Sequence, residues 1–164
     1  MSAKLKKLSD LSKRGPHRVL EGDLGYTGLP GKVYAPADGK DIPGVAFGHD
    51  WLTPARSYRD TLEHLASWGI VAAAPDTERG LAPSALNLAF DLGTTLDIIT
   101  GVRLGPGKIS VHPTKLGLVG HGFGASAAIF TAAGFRVTPM STPFTFPVAC
   151  PGVLDLVPRS FYLA

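Results

Sequence analysis

The most constraining feature of this sequence is a glycine-dense turn inside Lys115–Phe130 (KLGLVGHGFGASAAIF). The apolar run Leu116–Val119 predicts a short buried strand, the glycines at 120, 122 and 124 predict a tight turn, and the small residues from about Ala125 predict a helix. Glycine permits backbone conformations and close approaches that other residues resist, so strand and helix can pass closely here. The central residue of the turn, Gly122, is in the position expected to be strained, and it has no side chain.

The rest of the chain alternates apolar runs with amphipathic segments. Strands are predicted at His17–Leu24, Lys32–Ala35, Gly44–Phe47 and Ile70–Ala74, a loop at Ala37–Gly44, and helices at Ser57–Trp68 and from about Ser84 to Thr100. Ser57 followed by Asp60 predicts a capping box, and Gly69 predicts the end of that helix. The alternation predicts an α/β protein with a mostly parallel sheet, helices on both faces and a shortened C-terminal third.

Charge and composition divide the chain into three parts: a basic N-terminal arm (1–17), an α/β core (18–134) and an atypical proline-rich apolar tail (135–164). The first eighteen residues carry six Lys or Arg and one Asp, hence +5; the net charge of +3 leaves −2 for the rest. A basic arm can bind nucleic acid. The slightly acidic body and the lack of interleaved aromatic residues favour a solvated arm with no nucleic-acid partner.

The composition also indicates a compartment. The N-terminal residues contain no apolar run suited to a signal peptide, and no later stretch suits a transmembrane helix, so no membrane partner is expected. Cys150 is the single cysteine, which excludes an internal disulfide, and it is expected to be a buried, inert thiol. These features predict a cytoplasmic protein.

Polar residues follow the predicted strands where ligands bind in α/β sheets, at the strands' carboxyl ends. His49, Asp50 and Trp51 follow the third strand, Asp76 follows the fourth, and His121 lies within the glycine turn. His49 and Asp50 are expected to line the mouth of a site or, alternatively, to cap and hold their turn. The spacing of His49, Asp50 and Asp76 matches no metal-ligand signature, so neither a metal nor a cofactor is predicted.

Four segments together resemble a known family: GVAFGHDW, SYRDTLEHLASWGIVAAAPDT, LDIITGV and KLGLVGHGFGAS. They are similar to the α/β-hydrolases related to dienelactone hydrolase, chlorophyllase and the cutinase-like polyester hydrolases. The likeness covers roughly residues 18–134. It identifies the glycine turn with the nucleophile elbow, G-x-S-x-G, of that fold.

The resemblance implies carboxylic-ester hydrolysis by a Ser–His–Asp triad, with a small-molecule ester or acyl ligand. It also implies an oxyanion hole. One donor would be the backbone N–H of Phe123, the residue after the nucleophile position, and the second would come from the turn near Asp50 or Trp51. His121 precedes the nucleophile position, where a role in packing beneath the site is favoured over a catalytic one.

The sequence departs from the triad pattern in two ways. The nucleophile position is Gly122, and no histidine follows His121, although in this fold the catalytic histidine comes last in the chain. Asp155 is the sole acid after the turn, and Ser126, one helical turn beyond Gly122, points along the helix rather than into a pocket. The prediction is therefore an esterase-like protein that is impaired or inactive.

Two alternatives remain beside that prediction. One is a non-catalytic binding or interaction module that uses the residual pocket. The other is a decayed fragment, whose unfinished sheet would expose an edge and favour aggregation or a homodimer through that edge.

Overall fold

A computed structural model of the protein describes residues 8–134 and 146–149. The strands in this part are β1 (Val19–Asp23), β2 (Gly31–Pro36), β3 (Gly39–Gly48), β4 (Val71–Pro75), β5 (Ile109–Gly120) and β6 (Phe146–Ala149). The α-helices in it are α1 (Leu8–Leu11), α2 (Arg59–Ser67), α3 (Ala85–Gly101) and α4 (Phe123–Ala132), and short 3-10 turns cover Leu24–Thr27 and Ala55–Tyr58.

The six described strands form one sheet in the order β1-β2-β4-β3-β5-β6. β3 pairs in parallel with β4 and β5, and β5 pairs in parallel with β6, whereas β2 runs antiparallel to both β1 and β4. The α/β class is as predicted, but the sheet is mixed rather than mostly parallel. The short link of residues 24–30 accounts for the antiparallel pairing of β1 with β2, because joining two neighbouring strands in parallel needs a crossover of a dozen residues or more.

Helices cover both faces of the sheet, and the core lies in two layers. On one face, the fully buried residues Leu88, Leu92, Leu96 and Ile99 of α3 pack against the sheet as their helical spacing predicted. On the other face, Leu62 and Ala66 of α2 pack against a second buried cluster that includes Tyr34 and Phe47. β4 is buried along its whole length, as expected for a central strand with both faces covered.

Several element boundaries differ from the prediction. β3 begins at Gly39, inside the predicted loop, because the chain continues to pair with β5 through register irregularities around Ile42 despite Pro43 and a left-handed Asp41 (φ 53°). β5 likewise begins at Ile109 rather than at Leu116. The predicted capping box is wrong, since the 3-10 turn Ala55–Tyr58 moves the start of α2 to Arg59, and the side chain of the N-cap residue Tyr58 makes no capping bond.

The tail contributes one described element. Phe146–Ala149 add β6 beside β5, within a segment whose prolines gave no strand pattern. The predictions for residues 1–7, Cys150 and Asp155 lie outside the described residues. Within 8–134 and 146–149, no helix has the length and apolar character that a membrane crossing requires.

Candidate functional site

The turn between β5 and α4 has the geometry that its glycine spacing predicted. β5 ends at Gly120, α4 begins at Phe123, and Gly122 between them has φ 53° and ψ −117°. That combination lies outside the regions open to residues with a side chain, so glycine adopts it with little strain. α4 packs very closely on the end of β3, since a Cβ built on Gly124 would overlap the backbone oxygen of Gly48.

The carboxylate of Asp50 is bound at the N-terminus of α4. Its Oδ1 accepts hydrogen bonds from two backbone N–H groups, those of Phe123 and Trp51, each at 2.8 Å. These two N–H groups lie in the two regions in which the resemblance placed the oxyanion-hole donors. The hydrogen bond from Phe123, with a smaller contribution from Trp51, holds the pKa of Asp50 below its ordinary value.

Asp50 also fills the space in front of Gly122. A Cβ built on Gly122 would overlap Oδ1 and Cγ of the Asp50 side chain. A residue with a side chain at position 122 and the observed position of Asp50 therefore exclude each other. At this point in the fold, where the elbow pattern would put an attacking atom, the protein places a carboxylate instead.

Tyr58 links the strand end to the glycine turn. Its phenol oxygen accepts a hydrogen bond from the backbone N–H of Asp50 at 3.1 Å and lies 2.9 Å from Nδ1 of His121. The same imidazole nitrogen lies 3.8 Å from Oδ2 of Asp50, and the ring meets Tyr58 edge-on. His121 therefore joins a polar network at the site. It is not packed beneath it as predicted, since 43% of its side chain is exposed.

His49 does not line a mouth, contrary to the prediction. It is fully buried, with Nδ1 2.9 Å from the backbone oxygen of Asp50 and Nε2 2.7 Å from the backbone oxygen of Thr77. Because Thr77 follows β4, the imidazole ties the carboxyl ends of β3 and β4 together. This matches the alternative in which the residue holds its turn.

Asp76 has a structural role of the same kind. Its Oδ1 accepts a hydrogen bond from the backbone N–H of Ala55 at 2.9 Å, and its Oδ2 pairs with Arg79 at 2.6 Å. Both carboxylate oxygens are thus occupied by neighbouring loops. Among the residues that the structure describes, no three His, Cys, Asp or Glu side chains are grouped to hold a metal ion.

Three residues at this end of the sheet were not singled out from the sequence as site residues: Tyr58, Glu78 and Asp91. Glu78, with φ 53°, accepts hydrogen bonds from the backbone of Ser84 and from the side chain of Asn87, which anchors the first turn of α3. Asp91 accepts a hydrogen bond from the Thr77 hydroxyl, and burial raises the pKa of its carboxyl group. Tyr58 follows the apolar spacing of its segment, and nothing in that spacing indicates that its hydroxyl reaches Asp50.

The site can therefore hold an anion, which Asp50 supplies, and Gly122 at its centre has no side chain. Ser126, the possible substitute nucleophile, is exposed on α4. No protein-family model matches this sequence, and no curated protein is significantly similar to it.

Proposed function

We propose that this chain is an α/β-hydrolase-fold protein of the dienelactone hydrolase and esterase type in which serine-dependent acyl transfer has been lost. The strand order β1-β2-β4-β3-β5-β6, with β2 reversed, supports this proposal because it is the order of α/β-hydrolase sheets. The sharp turn at Gly122 between β5 and α4 supports it further, because the nucleophile elbow is a sharp strand-to-helix turn of this kind.

One observation carries the loss of acyl transfer. The Asp50 carboxylate occupies the space in front of Gly122 and accepts both N–H groups that would otherwise stabilise a tetrahedral oxyanion. An incoming ester would meet no nucleophile, a filled oxyanion hole and a negative charge. In subtilisin, removal of the catalytic serine alone costs about six orders of magnitude in kcat.

Ester turnover by the purified full-length chain tests the proposal. We expect no turnover of p-nitrophenyl acetate or butyrate above the rate in buffer, and no covalent labelling by a fluorophosphonate probe. Gly122→Ser should remain inactive, because the new side chain would meet Asp50 and no described histidine lies beyond His121 to act as base.

Positive results would overturn the proposal in identifiable ways. Turnover and labelling that disappear in Ser126→Ala would assign Ser126 as a nucleophile. Turnover that disappears in Phe123→Pro, which removes a backbone N–H, would show that the oxyanion hole functions despite Asp50. Both variants need a circular dichroism spectrum, so that a lost fold is not mistaken for a lost activity.

The second candidate function is a small-molecule binding module, and a specific cleft favours it. A cleft of about 420 Å³ lies on the α3 side of the sheet, lined by residues of β1, β2, the end of α3 and the start of β5. This volume falls in the range of small-molecule sites. Saturable ligand binding that raises the midpoint of thermal unfolding would support this function.

A further inference from the structure

The cleft lies away from the glycine turn. It is lined by Ile98 in the last turns of α3, by Val102 just after that helix, and by Ile109, the first residue of β5, whereas Gly122 lies beyond the last residue of β5. The lining also includes residues 20–23 of β1, which lies at one edge of the described sheet and is separated from β5 by three other strands. A ligand in the cleft would not depend on the chemistry of the elbow.

The walls of the cleft are apolar. Leu24, Val33 and Ile109 are buried core residues, and Leu20, Ile98 and Leu104 pack partly buried against the same core. Two further apolar side chains of the lining are unusually exposed, Tyr26 at 96% and Val102 at 42%. An apolar cavity bordered by exposed apolar side chains favours a ligand with a hydrocarbon portion. Binding of such a ligand would remove from water the hydrocarbon portion, the walls of the cavity and the exposed side chains at its border.

The charged residues that line the cleft differ in whether they have an ion-pair partner. Glu21 and Asp23 are compensated, since Lys32 Nζ lies 3.5 Å from Glu21 Oε1 and 3.3 Å from Asp23 Oδ2, and Arg59 Nη2 lies 3.6 Å from Glu21 Oε2. Arg103 also lines the cleft, and it forms no ion pair with any residue in 8–134 or 146–149. One cation at the cleft therefore lacks an internal counter-charge within the described chain.

We propose that this cleft binds an amphipathic carboxylate such as a medium-chain fatty acid, with its hydrocarbon chain on the apolar walls and its carboxylate on Arg103. The planar guanidinium can pair with a carboxylate through two parallel hydrogen bonds. The apolar walls supply most of the affinity, and the arginine selects acids over alcohols of equal length. This proposal names the ligand class for the second candidate function and rests on it, but it does not depend on the loss of acyl transfer.

Isothermal titration calorimetry of the full-length chain with sodium decanoate, below its micelle concentration, tests the proposal. We expect saturable binding with a matching rise in the midpoint of thermal unfolding. Decanol should bind about two- to five-fold more weakly, as expected when one exposed ion pair is lost. Absence of saturable binding by the unmodified chain would overturn the proposal.

Two pairs of variants locate the site. Val102→Asp introduces a charge at an exposed position of the cleft and should abolish binding, while Leu86→Asp, at a comparably exposed position of α3 outside the cleft (45%), should leave it unchanged. Arg103→Gln should weaken decanoate to the level of decanol and leave decanol unaffected. Arg56→Gln, an exposed arginine elsewhere, should change neither.

The opposite results have definite meanings. Decanoate binding that survives Val102→Asp would place the ligand outside this cleft and overturn the proposal. Equal binding of decanoate to Arg103→Gln and to the unmodified chain would overturn the assignment of the carboxylate to Arg103. Neither outcome bears on the loss of acyl transfer, which is tested separately by ester turnover.

Discussion

Oδ1 of Asp50 lies 2.8 Å from the backbone nitrogen of Phe123, a residue 73 positions further along the chain. This one hydrogen bond joins the end of β3 to the first residue of α4, across the turn at Gly122. It also places negative charge at the N-terminus of a helix, where backbone N–H groups and the helix dipole favour an anion. Asp50 is therefore expected to stabilise the fold at the same place where it fills the space in front of Gly122.

Asp50→Asn should lower the free energy of unfolding by about 1 kcal/mol at pH 7, because hydrogen bonds to a charged acceptor are worth more than those to a neutral amide. The effect should depend on pH. The pKa of Asp50 is lowered in the folded protein, so its contribution is complete above the ordinary value of 3.8 and is lost as the pH falls through the folded-state value.

Urea unfolding of both proteins between pH 3 and pH 7 measures this difference. Asp38→Asn, at an exposed position between β2 and β3, is the matched control and should change stability by less than about 0.5 kcal/mol. A difference between Asp50→Asn and the unmodified chain that stays constant down to pH 3 would contradict the assigned role of the charge.

Gly122→Ala should destabilise the protein by about 2–4 kcal/mol, since the new Cβ would overlap Asp50 and the residue would hold an unfavourable φ and ψ. In an Asp50→Ala background the overlap is removed and only the backbone strain remains. The penalty of Gly122→Ala should therefore fall by at least about 1 kcal/mol in that background. A double-mutant cycle in urea measures the coupling, and additive penalties would show that Asp50 does not occupy the space in solution.

Gly124→Ala and Gly101→Ala form a second matched pair. A Cβ on Gly124 would overlap backbone atoms of Gly48 and His49, which cannot move independently of the sheet, so this change should cost at least about 3 kcal/mol or prevent folding. A Cβ on Gly101 would meet nothing within 4 Å, and that residue ends α3, so the same substitution there should be neutral or slightly stabilising. Similar melting points for the two variants would show that α4 is not packed as described.

The strand–turn–helix at Gly122 and the buried face of α3 could be predicted from the sequence, because both depend on neighbouring residues. Glycine spacing limits the turn locally, and the leucines of α3 repeat with the helical period. The start of β3 could not be predicted, since Asp41 and Pro43 are typical of loops and only pairing with β5 makes the segment a strand.

The chemistry of the site was less predictable than its position. The motif placed His49, Asp50 and Trp51 at a strand end correctly, but the sequence does not specify which of these side chains points inward. His49 is buried between two carbonyl oxygens and Asp50 reaches α4, and either arrangement is compatible with the same local pattern. Contacts between residues distant in the chain decide between them.

Asp91→Asn should stabilise the protein at neutral pH. Burial is the main cause that raises the pKa of Asp91, and the charge of Glu78 adds to it, although the Thr77 hydroxyl favours the ionised form. When folding raises the pKa of a carboxyl group, the free energy of unfolding of the protein decreases as the pH rises above the ordinary pKa of that group, here 3.8. Asparagine keeps an acceptor for Thr77 and carries no charge, so the gain should be of the order of 0.5 kcal/mol at pH 7 and vanish near pH 3.

Chemical unfolding of the Asp91→Asn variant and of the unmodified chain between pH 3 and pH 8 measures the gain. Asp97 lies on the exposed side of the same helix, and the variant Asp97→Asn controls for the removal of one negative charge from α3. The two variants should differ in sign or size at pH 7, and the effect of Asp91→Asn should disappear in acid, because protonation makes Asp91 neutral in the chains that retain it. A loss of stability in Asp91→Asn at pH 7 would mean that the charged form is the one that the fold favours, with Thr77 as its dominant partner.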